Sequence, residues 1–405
     1  MKRPVFSNGD AVADVVIVGS GVVGALIADQ LAAEGKAVLV LDAGLRIQRA
    51  QAVENWRNMP FQNRAGSDFQ GLFPQSKWAP APLYWPENNF VELSGPDGKG
   101  FKQGYLKTVG GTTWHWAASS WRHLPVDLKM RSAYGVGLDW PISYDELEPY
   151  YCRAEDAMGV AGPNDPALQS PAERSRPYPM DMVPWSYGDK RFAEVVNAHG
   201  FRSVPIPQGR STRPWNGRPT CCGNNNCQPI CPIGAMYNGI HTVEAAEAKG
   251  ALVLAESVVY RIDTDANNRV TAVHWYDNEH RSHKATGEAF VIACNSLESP
   301  RMLLAAANDG GHRQFVRPGR AQHDGPFRLP LLLPVGGAAL GRPWPGAEQL
   351  PRRPARRCVP LRLFSQQDDP QQHHAGDLRH QCGAEGGPRG RGARRRDPQA
   401  HHPWR

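Results

Sequence analysis

The chain has 405 residues, a net charge of +7, 40% hydrophobic residues and eight cysteines. That length can bury two sizeable cores, while no apolar run approaches the roughly 18 residues of a spanning helix, and Met1 to Asp10 lacks the apolar core of a secretory signal. The basic excess lies in an arginine-rich tail and the rest of the chain is mildly acidic, which argues against a nucleic-acid-binding surface.

Asp14 to Val18 reads as a short apolar strand ending at Gly19. Val22 to Glu34 reads as a helix closed by Gly35, and Ala37 to Leu41 as a second strand ending at Asp42. This is one βαβ unit. Its turn is Gly19-Ser20-Gly21-Val22-Val23-Gly24. Gly19 permits the tight bend, Gly21 lets the backbone approach a pyrophosphate, and Gly24 lets helix and strand pack closely. The helix amides from Val22 onward, with the helix dipole, then face the phosphates. Asp42 is placed to accept hydrogen bonds from an adenosine ribose. The turn alone does not separate FAD from NAD, and an ordinary glycine turn is the plain alternative.

From Gly44 to about Gly110 no period holds, which predicts a long surface excursion. Thr108 to Arg122 then reads TVGGTTWHWAASSWR. Gly110 and Gly111 permit close backbone approach, and Thr112, Thr113 and His115 offer donors. Trp114, Trp116 and Trp121, with the small Ala117 among them, offer aromatic walls for a ring-shaped ligand. An aromatic-rich core segment would look the same. Ser143 with Glu146 is a capping box that opens a helix to about Met158. Pro163 to Pro184 has loop character. Ala251–Leu254, Val258–Thr264 and Val270–Tyr276 read as antiparallel strands, Phe290–Ala293 as a buried strand, and Pro300–Ala307 as a helix.

Four of the eight cysteines, Cys221, Cys222, Cys227 and Cys231, fall between residues 221 and 231 on a Gly/Asn/Pro loop that ends Cys231-Pro232. Thiolates at this spacing can wrap an iron–sulfur cluster. A disulfide and a zinc site are the other two readings. After Asn308 the composition changes: no Lys, Ile, Tyr, Thr, Met or Asn occurs in residues 309–405. Such a tail cannot bury a core; it reads as disordered, or as a translation in the wrong frame that truncates the fold.

Three of these segments, in this order, resemble the glucose–methanol–choline (GMC) oxidoreductases. Thr108–Arg122 is similar to the family's first signature. Trp140-Pro141-Ile142-Ser143-Tyr144, continuing through Glu148-Pro149-Tyr150-Tyr151, resembles the stretch that follows it. Ser299-Pro300-Arg301-Met302-Leu303-Leu304, after Ala293-Cys294-Asn295, resembles the second. Within the family, the FAD-binding large subunits of bacterial membrane-bound sugar and polyol dehydrogenases look most alike.

The resemblance implies an α/β fold: a Rossmann-like FAD-binding domain with a substrate domain built on a partly antiparallel sheet, incomplete at the C-terminus. Residues 11–45 and 240–308 would form the FAD-binding domain, with 100–125 touching the flavin. Residues 46–99 and 126–239 would form the substrate or cap region, including the cysteine loop 220–232. The adenine would be held by backbone near Val258. A three-iron, four-sulfur cluster would be ligated by Cys227, Cys231 and Cys221, with Cys222 the alternative third ligand. The reaction implied is oxidation of a CH–OH group of a sugar, polyol or sugar acid, with electrons passing through the cluster to a cytochrome c subunit. A small companion subunit would carry the export signal and place the complex on the periplasmic side of a bacterial inner membrane; uncomplexed, the chain would stay cytoplasmic. The family's catalytic base is a His in the C-terminal part of the chain. No histidine here stands in matching context, so no catalytic residue is assigned, and an inactive FAD-binding fragment is the alternative reading.

Overall fold

A computed structural model describes residues 2–58, 73–79, 105–223, 227–267 and 269–308, with side chains described as far as residue 303. The arginine-rich tail and most of the excursion between Gly44 and Gly110 therefore lie outside the described residues.

The chain begins with a hairpin, β1 (Val5–Ser7) and β2 (Asp10–Val12), turned through Asn8 and Gly9 at φ 51° and 88°. An Asn-Gly pair adopts this doubly left-handed turn at little cost. The βαβ unit follows as β3 (Val15–Val18), α1 (Val22–Ala33) and β4 (Val38–Leu41). Helix α2 (Arg49–Asn58) occupies sequence in which no period was evident. It carries one buried residue, Ala52, and so writes almost no apolar stripe.

Helix α3 (Tyr144–Met158) starts where the capping box predicts: the Glu146 amide donates to Ser143 Oγ at 3.2 Å, and the Ser143 amide donates to Glu146 Oε2 at 2.7 Å. Two short strands, β5 (Ala161–Gly162) and β6 (Met180–Asp181), pair in parallel at the two ends of the proline-rich stretch. Helix α4 (Tyr187–Ala198) has a second capping box, Ser186 with Asp189, and α5 (Gly239–Ala248) is capped by Asn238. Then come β7 (Leu252–Leu254), β8 (Val258–Thr264), β9 (Val270–Tyr276), β10 (Ser282–Thr286), β11 (Ala289–Ile292) and α6 (Asn295–Asn308).

Four strands form a parallel sheet in the order β11-β3-β4-β7. Residues 251–254, expected to be antiparallel, instead pair in parallel with β4, Leu39 opposite Leu252. The reason is the crossover: α5 carries the chain back along the sheet before β7, and a strand reached through a helix re-enters parallel. The expected antiparallel pairing holds for β8 and β9. These join β10, β2 and β1 in a five-stranded mixed sheet, in which β2 and β10 are parallel. Its strands fall in residues 5–12 and 258–286; residues 126–239 contribute helices and the β5–β6 ladder.

The parallel sheet is buried on both faces, which is why its strands read as unbroken apolar runs. Val15, Ile17, Val38 and Val40 face one core with α1 and α5. Val16, Val18, Leu39 and Leu41 face a second core with Val259, Val273 and Trp275 of the mixed sheet. Each such aliphatic residue contributes about 1.5–3 kcal/mol by burial. Gly24, Ala25, Ala28 and Ala32 line the buried side of α1, small enough for helix and sheet to approach closely. Strand β11 is only half-buried: among the described residues it is the sheet's edge, with β3 its one neighbour. No described helix is long and apolar enough to cross a membrane.

Candidate cofactor site

The glycine turn is built as its residues require. Gly19 sits at φ 94°, and a Cβ there would lie 2.6 Å from the Ala293 carbonyl oxygen; a Cβ on Gly24 would lie 1.9 Å from that of Gly19. Gly21 differs: a Cβ would meet nothing within 4 Å. It caps α1 with no side-chain hydrogen bond, and the first turn carries no acidic residue. The first amides of α1 are thus left to an external acceptor, and the helix dipole favours an anion.

Asp42 ends β4 and is buried. Its carboxylate accepts from the Ser20 amide (2.9 Å), Ser20 Oγ (2.5 Å) and the Gly44 amide (2.9 Å). Burial pushes its pKa up, against those hydrogen bonds. The aspartate therefore clamps the turn as well as lining the cavity beside it. Two carboxylate oxygens offer about four acceptor sites, so one remains for a ribose hydroxyl.

The Gly110–Thr113 turn packs directly on this frame. The Gly110 amide donates to Ser20 Oγ at 3.1 Å, and a Cβ on Gly111 would lie 3.3 Å from Gly21 Cα. Gly110 and Gly111 are left-handed, at φ 90° and 62°. Thr113 Oγ1 donates to the Gly110 carbonyl at 2.5 Å and accepts from the Gly239 amide at 2.8 Å, tying the turn to the start of α5.

Between these elements lies a cavity of about 520 Å³, within the ~300–1,000 Å³ typical of cofactor sites. Gly19, Gly21, Val22, Asp42, Gly111, Thr112, Thr113 and Val258 are on its wall. Gly24 and Gly110 lie behind the wall as packing pivots. Four further expectations change. Trp114 is not a wall: the 3₁₀ turn Gly111–Trp114 rotates it into the core, where Nε1 donates to the Val109 carbonyl at 2.9 Å. His115, next along, packs against Phe73, and burial drops its pKa to about 4. Trp116 donates to the Tyr237 carbonyl at 2.8 Å and packs, beside Ala118, on the cysteine loop rather than the cavity; Ala117 is also off the wall.

Residues that sequence patterns missed complete the wall. The Tyr105 hydroxyl donates to Glu298, whose carboxylate also pairs with Lys107 (3.1 Å) and Arg301 (2.6 Å). Burial works against ionising Glu298, but these partners outweigh it and lower its pKa. Only the three-residue spacing of Glu298 and Arg301 could have signalled this cluster. Among the described residues, no histidine lines the cavity.

On the cysteine loop, Cys227 and Cys231 are buried, Cys221 packs against them, and Cys222 is exposed. The six described cysteines form no disulfide. Among the described residues, no set of three His, Cys, Asp or Glu side chains is close enough to hold a single metal ion. The thiols of Cys221, Cys227 and Cys231 are of the donor type that iron–sulfur clusters use. The Arg210 Nε nearby is buried without a hydrogen-bond partner.

A glycine turn at a helix start, a buried acid beside it and a second glycine turn locked to the first make a frame suited to a dinucleotide cofactor. Residues 14–162 match the family model described as FAD dependent oxidoreductase. The chain is 53% identical over 304 residues to the fructose dehydrogenase large subunit of Gluconobacter japonicus, covering 75% of this chain and 56% of that protein. It is 28% identical over 305 residues to a 2-methyl-1,2-propanediol dehydrogenase of Mycolicibacterium austroafricanum, covering 73% and 51%. It is 26% identical over 309 residues to 6'''-hydroxyparomomycin C oxidase of Streptomyces lividus, covering 73% and 50%. Residues 14–162 thus carry an FAD dependent oxidoreductase domain, and the GMC resemblance of the motifs is consistent with it. It spans about half the length of the curated relatives it matches.

Proposed function

We propose that this chain is the FAD-binding large subunit of a dehydrogenase that oxidises a CH–OH group of a sugar, polyol or sugar acid. The hydrogen bond from the Gly110 amide to Ser20 Oγ carries this reading. It locks the segment resembling the flavin signature onto the phosphate turn, so that one ligand can touch both. The site suits FAD: open space beyond Gly21, uncapped amides on α1, and backbone at Val258 on the same wall. When bound, FAD supplies the hydride acceptor. The chain's own residues would hold it: the amides of α1 would face its phosphates, Asp42 would accept from its ribose, and Gly110 and Gly111 would offer backbone to the flavin.

Iron–sulfur chemistry at Cys221, Cys227 and Cys231 would carry electrons onward to a cytochrome c subunit. The resemblance to a protein named a large subunit supports companion subunits; with them the complex would sit on the periplasmic face of the membrane. Purified chain with a flavin absorption band and about three irons per flavin supports this assignment. Colourless protein that binds no added FAD overturns it, and protein with flavin but no iron removes the cluster. One observation favours a second reading, FAD binding without turnover: no histidine lines the described cavity. Dye reduction with a panel of sugars, polyols and sugar acids separates the two.

A further inference from the structure

We propose that Arg49, Arg210 and Arg218 form a collar of positive charge around an anionic iron–sulfur cluster at Cys221, Cys227 and Cys231, and that this collar raises the cluster's reduction potential. This rests on the iron–sulfur reading above and adds what the protein does to the cluster.

The observation is a contrast between two sets of buried arginines. Beside α3, Arg122 is paired with Glu148 (2.9 Å) and Glu155 (2.8 Å), and Arg174 with Glu155 (2.7 Å). This is what burial demands, because a cation taken from water needs an anion beside it. Around the cysteine loop the pattern breaks. Arg218 is 2% exposed and donates only to the carbonyls of Met158, Gly159, Gly209 and Ala235. Arg210 is 7% exposed, and its Nε has no partner. Half-buried Arg49 donates to the Cys231 carbonyl at 2.8 Å, contacts His241 Nε2 at 3.3 Å and lies over the Trp114 ring. Among the described residues none of the three has a carboxylate within ion-pair distance; Glu244 reaches Arg49 only as a longer-range field.

All three address the same loop. Arg49 reaches the Cys231 carbonyl, Arg218 reaches the Ala235 carbonyl at 3.3 Å, and Arg210 precedes Ser211, whose carbonyl accepts from the Cys221 amide at 2.8 Å. Residues 224–226 are three asparagines and add no charge. The flavin phosphates belong at α1, a different site. Among the described residues, the anion left to balance the collar is the thiolate-ligated cluster itself. Cluster potentials depend on net charge and surroundings, and a fixed cation stabilises the more negative, reduced form.

The test is an EPR-monitored redox titration of the cluster in the full 405-residue chain. Arg210→Gln and Arg49→Gln each shift the one-electron equilibrium toward the oxidised form by about tenfold or more, a fall of about 59 mV. Arg210→Lys and Arg49→Lys, which keep the charge, hold it within about threefold of the parent. Iron lost from the Gln variants but kept by the Lys variants, with flavin retained in both, supports the same conclusion. Unmoved potentials in iron-replete Gln variants overturn the collar, as does equal iron loss in Gln and Lys variants, because charge is then not what the cluster needs. A parent chain with flavin but no iron or sulfide overturns the iron–sulfur reading itself, a distinguishable result.

Discussion

Gly21→Val separates cofactor binding from folding in a way no other turn glycine does. Gly21 has φ −63° and ψ −169°, a conformation open to any residue, and a Cβ there meets no protein atom within 4 Å. The substitution should change apoprotein stability by no more than about 0.5 kcal/mol. It should even gain slightly from a stiffer unfolded chain. The new side chain opens onto the cavity at the amides of α1. A displaced pyrophosphate loses hydrogen bonds worth about 1.5–3 kcal/mol each, so losing one weakens FAD binding by roughly 10- to 100-fold. Thermal unfolding of apoprotein and titration of flavin fluorescence measure the two effects separately. Gly21→Val protein that binds FAD as tightly as the parent would show that the phosphates do not rest there.

Gly24→Ala acts oppositely. Its Cβ would sit 1.9 Å from the Gly19 oxygen, so α1 must move off the sheet at about 1–3 kcal/mol, read as a lower apoprotein melting temperature. Arg122→Met leaves the buried Glu148 carboxylate without a cation and Glu155 with Arg174 alone, and should cost about 3–5 kcal/mol in denaturant unfolding; a neutral result would mean the pair contributes nothing net. Burial opposes ionisation of Glu148, but hydrogen bonds from Cys152, Ser175 and Arg122 outweigh it and hold the pKa at about 2. Its contribution is thus complete above the unfolded-state value of 4.5 and lost as pH falls from there toward 2. Glu148→Gln should flatten the stability difference between about pH 3 and pH 6. His115, its pKa pushed to about 4 by burial, should show no titration in its NMR signals between about pH 5 and 8; a midpoint near the ordinary value refutes its burial. Cys227→Ser should lose iron while keeping flavin; unchanged iron content would remove Cys227 from the ligand set.

Much of the phosphate half of the site was legible because its reasons are local. Gly19, Gly21 and Gly24 follow from one strand–turn–helix geometry, and Asp42 from the length of the crossover. The Ser143–Glu146 box placed a helix start within a residue. The same signature at Ser186–Asp189 marked α4 equally well and went unread, as did the Asn8-Gly9 hairpin. Helix α2 was hidden for a physical reason: with only Ala52 buried it carries no periodic signal. Helix α6 starts at Asn295 rather than Pro300 because Asn295 Oδ1 accepts from the Leu297 and Glu298 amides, at 2.8 and 2.9 Å.

By itself the sequence determined what neighbouring residues settle among themselves: the βαβ unit, its glycine turn, the capped helix and the cysteine spacing. Tertiary structure decided what depends on partners far along the chain. It made β7 parallel by routing it through α5. It turned Trp114 into the core and Trp116 toward the cysteines. It also assembled Glu298 with Lys107 and Tyr105 across some 190 residues. Periodicity records whether a side chain is buried, but not what lies opposite it. That depends on how the sheets stack, which no local pattern encodes.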